Sequence, residues 1–126
     1  MILNLETDYA IRIVHYLAEV GERRDAGKIA EKTGVTLRFS LKILRKLVAA
    51  GIIRSFKGAG GGYELARPGR EITLGEVIEV MSGSLVFSHC QSAGHVCSHP
   101  QGGCYFKDVF DDVSDYMREK FEKATF

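Results

Sequence analysis

The sequence has no run of eighteen apolar residues, so composition offers no membrane-spanning helix. Its first residues carry no charged-then-apolar leader; no secretory signal is expected, and the cytoplasm is the expected location. Cysteine is scarce and odd in number: Cys90, Cys97 and Cys104 are the only three, all within fifteen residues. That argues against a disulfide framework and for metal or redox use. No Cys-x-x-Cys pair, no paired carboxylates and no Ser/His/Asp set stand out, so enzymatic chemistry is not expected. Acid is also missing from one long stretch. Between Glu31 and Glu64 there is no carboxylate, while Lys32, Arg38, Lys42, Arg45, Lys46, Arg54 and Lys57 all fall there.

The remainder is ordinary for one compact domain with an appended helix: 126 residues, of which 45% are hydrophobic, enough for a core. A formal net charge of +1 hides an asymmetry. Residues 1–70 hold thirteen Lys and Arg against seven Asp and Glu, and residues 71–126 hold four against nine. A charge run alone is most often a solvated face. This one coincides with a helix, a turn, a second helix and a glycine-tipped hairpin, which directs it toward a polyanion.

The spacing predicts a first helix over residues 5–21, with Thr7 as N-cap and Ala10, Ile13, Val14, Leu17 and Val20 inward. Asp25 caps a short helix from Ala26 to Lys32, with Ile29 and Ala30 inward; Thr33-Gly34 turns, and Val35 plugs the core. Thr36 caps the next helix, Leu37 to Ala50, which stops at Gly51. There Leu37, Leu41, Leu44 and Val48, flanked by Ile43 and Leu47, are the expected core face. Arg38, Lys42, Arg45 and Ala49 form a separate stripe. Near the helix start Arg38, Phe39 and Lys42 are best placed for base edges, Arg or Lys toward guanine and Phe toward a thymine methyl. Arg45 and Lys46 suit phosphate.

Two short runs then flank four glycines, Arg54-Ser55-Phe56-Lys57-Gly58-Ala59-Gly60-Gly61-Gly62-Tyr63-Glu64-Leu65, which predicts a β-hairpin with Lys57 at its tip and backbone free to approach a sugar-phosphate wall. A nucleotide-phosphate loop is disfavoured: no Lys-Ser/Thr follows the glycines, and no helix begins there. Pro68-Gly69 breaks the chain, and Thr73-Leu74-Gly75-Glu76 opens a helix through Met81. Residues 82–104 show no helical or strand period, and a structureless segment of that length in a small domain is usually functional. Tyr105 to Lys123 predicts a long acidic helix with Phe106, Val109, Phe110, Val113, Met117 and Phe121 on one side, for dimerisation or for packing back on its own domain.

The cysteine spacing is too wide for zinc-finger knuckles. Three thiolates on a flexible loop suit an iron–sulfur cluster whose fourth position is taken by another ligand: Asp8, His89, His95 or His99. A Cys/His zinc site and free thiols acting as redox sensors remain the alternatives.

Together, Gly34-Val35-Thr36-Leu37 through Gly51-Ile52-Ile53, the segment Lys57 to Leu65, the helix start Ile72-Thr73-Leu74-Gly75-Glu76-Val77-Ile78 and the three cysteines resemble the IscR/NsrR/CymR family of bacterial repressors over essentially the whole chain. The resemblance implies a dimeric winged helix-turn-helix with a long crossing helix. It also implies a [2Fe-2S] or [4Fe-4S] cluster on Cys90, Cys97 and Cys104, with Asp8 at the place where some members use a carboxylate. Lys57 matches the wing-tip base contact. The histidine that the iron–sulfur biogenesis regulator carries three residues after its last cysteine is Lys107 here. The cysteine-metabolism regulator carries no cluster.

The expectation is therefore a mostly α fold with a small β-wing, namely a winged helix-turn-helix over residues 1–82, a cysteine-rich cluster-binding loop over 83–104 and a dimerisation helix over 105–126. The expected partners are double-stranded DNA with a pseudo-palindromic operator and a second copy of the chain, with no membrane. Expected DNA contacts are Lys28, Thr36, Arg38, Phe39, Ser40, Lys42, Arg45, Lys46, Lys57, Gly58, Gly60 and Gly61. The expected function is a transcriptional regulator, a repressor, sensing iron–sulfur, nitric oxide or redox status. The alternatives are a cluster-free thiol or zinc regulator of the same fold, and a metal or electron-transfer module without DNA.

Overall fold

A computed structural model describes residues 3–98 and 104–126. Helix α1 (Leu5–Val20) starts at Asn4, whose side chain accepts from the Thr7 amide, and stops at Gly21 in the left-handed conformation, φ 64°. Thr7 is thus not the cap, as the sequence suggested. It lies buried one turn in, its hydroxyl 2.8 Å from Asn4 Oδ1 and 2.7 Å from Ser82 Oγ. Helix α2 (Ala26–Thr33) is capped by Asp25 and ends at Gly34, φ 72°. Helix α3 (Leu37–Ala49) is capped by Thr36, which accepts from the Phe39 amide at 3.3 Å.

The face of α3 that packs is rotated from the expected one. Ser40, Ile43, Leu44 and Leu47 are buried, an i, i+3, i+4, i+7 set whose three apolar members share one core with Ala10, Ile13, Val14 and Leu17 of α1. Leu37 and Leu41, expected inside, are 49% and 40% exposed, and Val48 is only partly covered. The hydroxyl of Ser40 disguised the true stripe. It fits inside because it lies 3.5 Å from the Val35 carbonyl, which accepts its proton.

After α3, strands β1 (Ile53–Phe56) and β2 (Gly62–Leu65) pair antiparallel, with Ile53 opposite Leu65 and Phe56 opposite Gly62. The α1–α2 connection extends the ladder: Arg24 N donates to Tyr63 O at 2.9 Å, and Tyr63 N returns to Arg24 O at 2.8 Å. Helix α4 (Leu74–Ser82), capped by Thr73, buries Val77, Ile78 and Met81. Helix α5 (Tyr105–Lys123) runs back over it, and the chain end returns to the start of α4. Leu74 N donates to Ala124 O, and Phe126 N donates to Gly69 O and Ile72 O.

Residues 82–104 are not structureless throughout. Leu85 is buried, and a 3-10 turn at His89–Gln91 is tied to α5, where Gln91 Nε2 donates to Asp111 Oδ1 at 2.8 Å and to Ser114 Oγ at 3.1 Å. The apolar residues of α5 divide between two faces. Phe110 stacks obliquely on Phe87, Ser114 is buried, and Phe121 packs on Gly75, whereas Phe106, Val109 and Val113 are exposed with Tyr105 and Tyr116.

Twelve large aliphatic side chains are fully buried among the described residues; at about 1.5–3 kcal/mol each they outweigh the surface ion pairs, worth about 0–1 kcal/mol apiece. The hairpin carries less apolar burial and depends on backbone fit. Gly62 has φ 143°, and a Cβ there would lie 2.5 Å from Arg24 O; Gly60 has open space. Gly62→Ala is expected to destabilise the fold by about 1–3 kcal/mol in denaturant melts, and Gly60→Ala to change it by less than about 1 kcal/mol.

Candidate nucleic-acid interface

Burial of Ser40, Ile43, Leu44 and Leu47 sets what α3 offers to solvent. Arg38, Lys42, Arg45 and Ala49 are exposed on the opposite side, as the sequence stripe predicted. Among the described residues no carboxylate pairs with Arg38, Arg45 or Lys57, so their charges are uncompensated within the chain. Lys42 and Lys46 differ: both reach Glu6 of α1, at 3.5 Å and 2.7 Å. The Lys46 hydrogen bond is the main reason that the Glu6 carboxyl titrates below its ordinary 4.5, with the charges of Lys46 and Lys42 adding to it against the opposing effect of burial. Nothing in the spacing marked Glu6, because its partners lie on another helix.

Of the other expected contacts, Ser40 is corrected: its side chain is fully buried against Val35 and cannot meet a base. Phe39 is 40% exposed and packs edge-on against Tyr9, ring centroids 5.9 Å apart, with Lys42 over its ring. Thr36 is exposed while serving as cap, and Lys28 is partly exposed beside Glu31 at 3.7 Å.

Lys57, Gly58, Gly60 and Gly61 form the exposed end of the hairpin. Gly61 N donates to Gly58 O at 2.9 Å, closing a turn in which Gly58 takes φ 89°. A Cβ on Gly61 would lie 2.5 Å from Phe56 O, so this glycine is required by the hairpin's own backbone. Sequence reasoning missed the residue that holds this tip. The Arg23 guanidinium lies 3.4 Å from the Phe56 ring centroid, and Nη1 donates to Gly60 O at 2.9 Å. An arginine in a loop some thirty residues from its ring gives no periodic signal.

Cys90 and Cys104 are partly exposed, and Cys97 is exposed. Cys90 Sγ donates to Ser88 Oγ at 3.2 Å, and Cys104 stands at the N-cap of α5. His89 and His95 are in edge contact, centroids 4.9 Å apart. Asp8 is engaged by Arg12 at 2.9 Å, and His99 lies outside the described residues. Among the described residues no three Cys, His, Asp or Glu side chains are gathered closely enough to hold a metal ion. Nor is any described helix long and apolar enough to cross a membrane. Behind the loop, Asp111 titrates low, held first by Lys107 at 2.7 Å and next by Gln91.

A capped helix, a turn, a second helix with an exposed cationic face and a two-stranded hairpin beside it define the winged helix-turn-helix class. Within that class, residues 3–126 match the Rrf2 family, described as iron-dependent transcriptional regulators, and the chain belongs to that family. Protein aau3 of Rhizobium meliloti (strain 1021) is 38% identical over 97 residues, covering 76% of this chain and 63% of its own length, so the chain spans less than two thirds of that relative. CymR (YrzC), the global cysteine regulator of B. subtilis, superposes with TM-score 0.82 at 20% identity, covering 99% of this chain and 92% of its own; this likeness concerns the fold. T. potens IscR superposes with TM-score 0.78 at 26% identity, covering 99% and 82%.

The Glu6 contacts give a pH signature. A carboxyl held below its unfolded value adds stability above that value and loses it as pH falls through the folded one. The thermal midpoint of the wild type is therefore expected to fall more steeply below pH 4.5 than that of Glu6→Gln, the gap between them closing in acid.

Proposed function

We propose that this protein is a homodimeric, DNA-binding regulator of transcription, acting as a repressor in the cytoplasm, whose affinity for its operator is set through Cys90, Cys97 and Cys104. The observation that carries the DNA reading is the exposed cationic face of α3, where Arg38 and Arg45 lack any internal carboxylate partner among the described residues and Arg45 shares a surface depression with Ser55 and Tyr63 of the hairpin. Uncompensated cations on a helix narrow enough for the major groove gain from phosphate what they do not gain at home. Two copies joined through the exposed face of α5, with Tyr105, Phe106, Val109, Val113 and Tyr116, would set two such helices on a pseudo-palindromic site, about 34–36 Å apart.

For the sensing centre, the donor chemistry fits an iron–sulfur cluster. Three cysteines, each at least partly exposed, lie on one segment, and Asp8, His89, His95 or His99 would supply the fourth ligand. Bound there, a [2Fe-2S] or [4Fe-4S] cluster would supply a centre sensitive to oxidants, nitric oxide and iron supply. This chain's own part is the link from loop to helix: Gln91, next to Cys90, is bonded to Asp111 and Ser114 of α5. A cluster-free thiol or zinc regulator is the second reading, favoured by Lys107 and by the absence of a gathered ligand set among the described residues.

Two measurements decide between these. Affinity for a duplex selected on the full chain is expected to fall steeply with salt. Arg38→Ala should relax base preference by about 1–3 kcal/mol, and Arg45→Ala should weaken all sequences alike and reduce the salt slope by about 1. Affinity indifferent to salt would remove DNA as the partner. Protein purified anaerobically is expected to carry iron and acid-labile sulfide, both lost in Cys90→Ser. A colourless, iron-free chain with unchanged DNA affinity leaves the cluster-free regulator.

A further inference from the structure

The two leucines that the core left outside have a use. Leu37 and Leu41 are 49% and 40% exposed, four residues apart on one shoulder of α3, directly beside the cationic ridge. With Arg38, Lys42 and Arg45 they line a surface depression of about 570 Å³. A second depression, about 250 Å³, continues from Leu41 and Arg45 past Val48 to Ser55 and Tyr63 of the hairpin. An apolar strip is thus enclosed between a row of cations and the wing.

The charge around the strip selects its occupant. An apolar protein surface or an acyl chain covering Leu37 and Leu41 would desolvate Arg38 and Arg45 without pairing them, a cost that grows with each cation. A DNA duplex supplies both halves at once: phosphates for the cations and, in the major groove, the 5-methyl group of thymine as an apolar partner. The spacing agrees, since four helical residues rise about 6 Å, a little under two base steps of about 3.4 Å.

We propose that Leu37 and Leu41 are specificity residues that read thymine methyls, so that the operator carries thymines at two positions about two base steps apart. This inference deepens the DNA reading and rests on it. It assigns to an apolar pair the part of base recognition that no cation performs, because Arg and Lys are indifferent to the thymine methyl.

The test uses the full chain, a duplex enriched from a randomised pool on the wild type, and the same duplex with deoxyuridine replacing thymidine, which deletes the methyl and nothing else. The wild type is expected to bind the deoxyuridine duplex about fourfold more weakly per contacted methyl, the factor equivalent to about 0.8 kcal/mol for one buried methylene-sized group. Leu41→Ala, whose side chain lies outside the core, should fold with an unchanged thermal midpoint, bind the thymidine duplex less well and lose the distinction at its own position; Leu37→Ala should do so at the other. Salt-dependent binding by the wild type with no thymidine preference, or a preference that both variants retain, overturns this inference while leaving the DNA reading intact. Absence of salt-dependent binding overturns both. A change in sedimentation of DNA-free Leu41→Ala would assign the strip to contact between copies and overturn it as well.

Discussion

Everything the molecule presents to a partner depends on how α3 is rotated about its own axis, and that rotation is fixed by one packing contact. Ile43, Leu44 and Leu47 share one core with α1, and they and Ser40 are fully buried. Turning the helix by one residue would exchange Ser40 for Leu41 and Ile43 for Leu44, but also Leu44 for Arg45 and Leu47 for Val48, driving an arginine into the contact. The arrangement observed instead buries a serine and leaves two leucines outside. An arginine buried without a partner costs more than one leucine gains inside, about 1.5–3 kcal/mol. Ser40 is tolerated in the buried row because its hydroxyl donates to the Val35 carbonyl.

The hairpin obeys a different logic. Its strands are four residues each, and its outer end buries little, so its position relative to α3 is set by bonds to the α1–α2 connection. Arg24 adds a rung to the ladder through Tyr63, Gly62 admits that backbone without a Cβ, and Arg23 spans Phe56 and Gly60. The glycines are therefore of two kinds. Gly61 and Gly62 answer to the protein's own backbone, whereas at Gly60 a Cβ would meet nothing within 4 Å. A run of glycines in a sequence does not separate these cases, because both leave the same letter.

What could be read from the sequence follows the range of the interaction. Caps at Asp25, Thr36 and Thr73, stops at Gly21 and Gly34 and the span of α5 are local, and each was legible; the helix order and the hairpin followed from them. The cap at Asn4 was displaced to Thr7 because two capping residues stand three apart, and what tells them apart is the distant Ser82 hydroxyl that meets the buried Thr7. The cationic stripe was legible because it holds a helical period. Its inner boundary was not, since Leu37, Leu41, Leu44 and Val48 satisfy the same period as the true core set, and a hydroxyl at position 40 weighs against the right answer. Glu6 and Arg23 act across elements and have no sequence signature at all.

The same distinction between local and long-range bonding separates the two ends of α5. Its last residues are held by main-chain bonds, from Leu74 to Ala124 and from Phe126 to Gly69 and Ile72, and Phe121 packs closely on Gly75, where an added Cβ would lie 3.3 Å from the Phe121 Cβ. Its first half is held by side chains: Gln91 on Asp111 and Ser114, Lys107 on Asp111, Phe87 on Phe110. Main-chain bonds in a packed setting open only with the fold, while polar side-chain bonds near solvent exchange for water at small net cost. A rearrangement at Cys90 or Cys104 would therefore act on the first half of α5 and leave its last turn in place. The exposed residues Tyr105, Phe106, Val109 and Val113 lie on that first half. If two copies meet there, the contact between them is the first structure that a change in the cysteine loop would reach, ahead of α3 and the hairpin.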